Sequence, residues 1–149
     1  MSKARIDALM RETSKYITNK EHLDKIQDAY TYAKKMHEGQ FRKSGEPYIV
    51  HPVDVAIILS EYNTDPTTIM AGLLHDVIED TDATFEAVEE LFGEEVALLI
   101  EGVTKLGQYK FKETVAEAEK IAAQAKNYQK MLIAMAKDIR VVIVKLADR

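Results

Sequence analysis

Asp65-Pro66-Thr67-Thr68-Ile69-Met70-Ala71-Gly72-Leu73-Leu74-His75-Asp76-Val77-Ile78-Glu79-Asp80-Thr81 reads as one amphipathic helix with a clear start. Asp65 suits the N-cap, and Pro66, with its fixed φ and missing N–H, suits the first helical position. Ile69, Met70, Leu73, Leu74, Val77 and Ile78 recur at three- and four-residue spacing and form a broad apolar face for a core. At about 100° per residue, Thr68, Ala71, Gly72, His75, Asp76 and Glu79 share the opposite sector. That order, small residues first and titratable ones after, predicts a small-walled, charged pocket.

His75 followed by Asp76, with Glu79 four residues after the histidine, brings one imidazole and two carboxylates towards one point beside the helix. Divalent metals accept such mixed nitrogen and oxygen ligands. On the His-Asp dipeptide alone, a solvated face is the plainer reading. The chain has no cysteine, which excludes disulfides and thiolate zinc, so a metal here would be held by histidine and carboxylate.

With 149 residues, 46% hydrophobic and 30% charged, the chain is long enough for one cored domain and is expected to form one. Apolar runs such as Val141 to Val144 fall far below the roughly 20 residues a bilayer requires, and the N-terminus lacks a signal-peptide core. No membrane association and a cytoplasmic location are expected. A net charge of −5 gives no general reason to bind nucleic acid, while local basic clusters can still hold a phosphorylated small molecule.

Upstream, His51-Pro52 repeats the Asp65-Pro66 punctuation, which predicts His51 at a helix entrance with non-helical backbone. The helix behind it, Val53 to about Tyr62, is apolar nearly all round and should be buried. Before it, Gly39-Gln40-Phe41-Arg42-Lys43-Ser44-Gly45-Glu46-Pro47 is a loop with adjacent guanidinium and ammonium groups. Such a loop suits a phosphorylated ligand, since Arg pairs with phosphate and stacks on bases; a solvated connector is the plainer reading. A helix from about His22 to Glu38 stops at Gly39, with His37 read as complementing the helix dipole and His22 as surface. Residues 1 to about 18 read as a short helix packed on the rest.

Downstream, Thr84 caps a short helix through Phe92 that Gly93 ends, and Glu94 to about Lys105 forms the next. A loop over Leu106 to Glu113 with Lys105, Lys110 and Lys112, then a helix over Val115 to Ala136, are expected. From Asp138 to Arg149, four consecutive β-branched residues favour a strand, while Ile139, Val142, Ile143 and Leu146 offer a buried helix face. Local pattern leaves both open.

A lone His at a helix start, His-Asp about two dozen residues later, and a distant Asp ending an apolar segment together resemble the HD-domain phosphohydrolases. Four longer stretches are similar to the hydrolase domain of the Rel/SpoT alarmone enzymes: His37 to Gln40, Arg42 to Pro52, His75 to Thr81, and Val144 to Arg149. This resemblance covers roughly residues 5 to 149. It implies an all-α HD-domain helical bundle, which resolves the last segment towards helix. It implies one Mn2+ and removal of the 3′-pyrophosphate from ppGpp or pppGpp to give GDP or GTP within stringent-response control. Matched position by position, His51, His75, Asp76 and Asp148 are its metal ligands, Glu79 and Asp80 its catalytic acidic pair, and Arg42 and Lys43 its nucleotide contacts.

Family members continue past the final Asp-Arg with a Leu-His-Asn-Met-Arg-type segment, whereas this sequence ends at Arg149. The expectation is a single hydrolase domain over residues 1 to 149, truncated at its C-terminal end, from a longer parent carrying synthetase and regulatory domains. Two other readings stand beside it: an HD phosphohydrolase acting on another nucleotide, and a non-catalytic guanine-nucleotide-binding regulatory module.

Overall fold

The computed structural model describes residues 2–108 and 139–148, and these are helical apart from turns and one isolated bridge between Phe41 and Pro47. The helices are α1 (Ser2–Ser14), α2 (Lys20–Met36), α3 (Val50–Glu61), α4 (Pro66–Asp80), α5 (Phe85–Phe92), α6 (Glu94–Gln108) and α7 (Ile139–Asp148). The all-α bundle is therefore as expected, and the β-branched run from Val141 is helix. Among the described residues no helix is long and apolar enough to cross a membrane.

The helix read first is the centre of the bundle. The Asp65 side chain accepts from Thr68 N and Pro66 follows it, so α4 starts as predicted. Every residue from Thr68 to Val77 is buried, because α4 packs against α2 and α3 on one side and α6 and α7 on the other. A helix covered all round has no face left for solvent until its C-terminal turn.

The small residues of α4 therefore do not line a pocket, which corrects the expectation. A Cβ added at Gly72 would meet Leu59 Cδ1 at 2.6 Å and Val55 Cγ1 at 3.5 Å, so the missing side chain lets α3 approach. Helical spacing alone cannot tell a pocket wall from such a packing surface.

Helix ends follow local chemistry elsewhere. Asn19 caps α2 through Glu21 N, so the helix starts at Lys20, two residues before the expected start, and Gly39 follows the helix at φ 84°, where glycine carries no Cβ penalty. Thr84 accepts from Ala87 N to cap α5, and Gly93 ends it. Helix α6 runs on to Gln108, three residues past the expected end, although Gly107 in its last turn costs about 1 kcal/mol. The expected helix over 115–136, most of the loop before it, and Arg149 lie outside the described residues.

Two more expectations change. Helix α3 begins at Val50, with Ile49 in right-handed helical backbone, so His51 sits inside the first turn. Pro52 is tolerated there because first-turn N–H groups have no intrahelical partner. On α7 the buried residues are Val141 and Val144, while Leu146 is 63% exposed. Val141, Val144 and Asp148 lie at i, i+3 and i+7, so the face that packs is the one that also carries the carboxylate inward.

Candidate metal centre and its surroundings

Three helices deliver four side chains to one point. His51 comes from the first turn of α3, His75 and Asp76 from the last turns of α4, and Asp148 from the end of α7; one ligand atom of each lies within 4.8 Å of the others. His75 is 3% exposed and Asp76 7%. Asp148 Oδ1 stands 2.8 Å from His51 Nε2 and 3.0 Å from His75 Nε2, and Asp76 Oδ1 is 3.2 Å from His75 Nε2. Asp76 Oδ2 lies 3.7 Å from His51 Nε2.

The hydrogen bonds fix where the protons are. His75 Nδ1 faces the Gly72 carbonyl at 2.7 Å, and a carbonyl only accepts, so Nδ1 carries the proton. In the neutral ring Nε2 then presents a lone pair to Asp148, itself an acceptor. Such a meeting of lone pairs is stabilised only by positive charge among them, a proton or a cation. In the absence of a cation it is the proton: burial pushes the His75 pKa down, but the Asp148 and Asp76 carboxylates outweigh burial and raise it. Hydrogen bonds from His51 and His75 hold Asp148 far below the usual carboxylate range.

The spacing tests the fit of a divalent ion. Metal–ligand bonds of about 2.1 Å place neighbouring ligand atoms about 3.0–3.4 Å apart in octahedral or tetrahedral arrangements. The closest contacts in the cluster, 2.8, 3.0 and 3.2 Å, fall in or near that range. The His75 bond to a backbone carbonyl is also the outer contact that orients metal-bound imidazoles. The donor set thus suits a divalent cation held by two imidazoles and two carboxylates.

The acidic pair stands at the open rim. Glu79 and Asp80 are exposed at the end of α4. Partial burial, with the Asp76 charge, raises the Glu79 carboxyl above its usual pKa, against the pull of His75 and Lys145. Lys145 Nζ also lies 3.4 Å from Asp148 Oδ2.

Sequence reading missed an uncharged scaffold around this pair. The Tyr48 hydroxyl lies 2.8 Å from Asp76 Oδ2 and 3.2 Å from Asp80 Oδ2. Burial and both carboxylates push its pKa up, so it remains a donor. Gln40 Nε2 donates to the Asp80 carbonyl at 2.7 Å, which turns Gln40 Oε1 towards His37 Nδ1 at 2.9 Å and assigns the proton to that nitrogen. His37 is 2% exposed, and its ring packs on Tyr48 with centroids 4.7 Å apart. The expected dipole role for His37 is thus replaced by a structural one. The signal available in the sequence was position: Tyr48 stands three residues before His51 in the turn that leads into α3.

Arg42 and Lys43 stand exposed in the loop, and neither side chain forms a hydrogen bond or ion pair among the described residues. The loop itself is closed by Arg42 N to Glu46 O at 2.8 Å and Gly45 N to Arg42 O at 2.8 Å. His22 is exposed, as read.

Comparison with known proteins adds four findings. A family model described as "HD domain" matches residues 29–149. The chain is 58% identical over 127 residues to a GTP pyrophosphokinase of Myxococcus xanthus, covering 85% of this chain and 16% of that protein. It is 54% identical over 129 residues to the bifunctional (p)ppGpp synthase/hydrolase SpoT of Escherichia coli K12, covering 87% of this chain and 18% of SpoT. Among solved structures it is similar to a metazoan ortholog of SpoT, described as hydrolysing ppGpp with a role in starvation responses. That match has a TM-score of 0.60 and 36% identity, covering 83% of this chain and 65% of the other. The chain thus spans less than a fifth of the length of these curated relatives.

Proposed function

Because the chain belongs to the HD-domain family, whose hydrolases imply a divalent metal, we propose that it removes the 3′-pyrophosphate of ppGpp or pppGpp, with Mn2+ held by His51, His75, Asp76 and Asp148. The observation that carries this reading is the convergence of two imidazole nitrogens and two carboxylates beside a second, exposed pair of acids. Bound there, the cation supplies Lewis acidity, acidifying water and offsetting phosphate charge.

The chain's own residues then divide the remaining work. Hydrolysis forms a bond from water oxygen to phosphorus, breaks the bond from that phosphorus to the ribose 3′ oxygen, and returns a proton to the departing oxygen. Glu79, whose pKa is raised by partial burial and Asp76, is suited to hold a proton and pass it to the departing oxygen. Asp80, anchored through its carbonyl by Gln40, orients water or the leaving oxygen. Arg42 and Lys43, uncommitted to protein partners among the described residues, bind the nucleotide, Arg42 by stacking on guanine. In this reading residues 1–149 are the hydrolase domain of a longer parent with synthetase and regulatory domains.

Product analysis tests the activity. With Mn2+, ppGpp should yield GDP and pyrophosphate, and pppGpp should yield GTP and pyrophosphate, while nucleotides lacking a 3′-pyrophosphate stay intact. Release of single phosphates, or faster turnover of another nucleotide, would overturn the substrate assignment. Nucleotide binding without any turnover would favour a regulatory module.

A further inference from the structure

Resting on the metal-centre reading above, we infer that Tyr48 is a positioning residue whose hydroxyl fixes one oxygen of Asp76 so that the other faces the cation. The tyrosine is set rigidly for this. Its N–H donates to Gln40 O at 2.9 Å and its carbonyl accepts from His51 N at 3.0 Å, so the backbone on both sides is tied down. Its ring lies against His37 on one side and edge-on to His51, with centroids 6.0 Å apart, on the other.

The hydroxyl has a single proton to donate. Asp76 Oδ2, at 2.8 Å, is the nearer acceptor and takes it; Asp80 Oδ2 is at 3.2 Å. With Oδ2 so engaged, Asp76 presents Oδ1 to the cluster, 3.2 Å from His75 Nε2. Without the hydroxyl the carboxylate is free to turn so that both oxygens face the cluster, Oδ2 being already 3.7 Å from His51 Nε2. Tyr48 therefore selects presentation of a single oxygen over presentation of both. Hydrogen-bond partners behind ligating side chains commonly contribute 10–100-fold to metal affinity.

The test is Tyr48→Phe, which removes one oxygen and keeps the ring on His37. Mn2+ titration by calorimetry, at a temperature where circular dichroism shows both chains folded, is compared with kcat and KM for ppGpp at saturating Mn2+. The expected result is a 10–100-fold weaker Mn2+ affinity, with a lower kcat at saturating metal and an unchanged KM. A folded Y48F chain that binds Mn2+ within twofold of wild type would overturn the positioning role while leaving the metal centre intact. Wild-type chain that binds no divalent cation would overturn both.

Discussion

Gly102 lies where α6 meets α7, and its replacement by alanine should move the helix that carries Asp148. A Cβ there would stand 2.6 Å from Val141 Cγ2, 3.3 Å from Cγ1 and 3.6 Å from Cβ. Rotating the valine exchanges one methyl for another, and χ1 of a helical valine is stiff in any case. The backbone of α7 must therefore retreat by about 0.8 Å to restore an ordinary 3.4 Å contact. Asp148 is two turns further along the same short helix and moves with it, against a metal-ligand tolerance of about 0.2 Å. Overpacking of this kind costs about 1–3 kcal/mol, offset by about 1 kcal/mol from replacing a helical glycine. The net loss of about 1 kcal/mol should lower the melting temperature by roughly 2–4 °C in a domain of this size. Mn2+ affinity should fall about tenfold or more, since a displaced ligand costs at least what a displaced outer contact does. Thermal melts of the metal-free chain and calorimetric Mn2+ titration provide both readings, and Val141→Ala in the same chain should restore room. A Gly102→Ala chain that melts at or above wild type with undiminished affinity would refute this account of how α7 is placed.

Three other outcomes are expected. Asp76→Ala should abolish Mn2+ binding and turnover together, whereas Glu79→Ala should keep the cation and lose rate; equal loss of metal in both would erase that division of roles. In the metal-free chain the His75–Asp148 contact sets a pH window with two edges. His75 is raised from 6.5, so its contribution to stability is complete below 6.5 and is lost as pH rises through the higher folded value. Asp148 is lowered from 3.8, so its contribution is present above 3.8 and is lost as pH falls through the lower value. Melting temperature should thus decline as pH is raised beyond 6.5 without metal, while Mn2+ affinity increases over the same range because the ion displaces the proton from His75; an affinity independent of pH would contradict the proton's place. Arg42→Ala should leave the melting temperature unchanged and raise KM for ppGpp, and a lowered melting temperature would assign the side chain to the fold.

What the sequence made legible follows from the range of the interactions involved. Asp65-Pro66 and Thr84 mark helix starts through contacts within three residues, so local reading found them. The resemblance brought His51, His75, Asp76 and Asp148 together as a set, and the structure has these four side chains adjacent. Faces of helices were less legible. Val141 to Val144 offers two apolar stripes, and the choice between them is made by Gly102 on α6, far away in sequence. Gly72 looked like a pocket wall because spacing cannot reveal Leu59 lying against it. His37, Gln40 and Tyr48 are uncharged side chains, and the partners of Gln40 and Tyr48 lie up to 40 positions away, which leaves no periodicity to read.

The most direct test of the central claim is pyrophosphate release from ppGpp by chain stripped of metal and then titrated with Mn2+. The account predicts no release before metal is added, then a rise that levels off at one cation per chain and disappears with chelator. Release that proceeds in chelator, or none at any Mn2+ concentration despite bound cation, would contradict it.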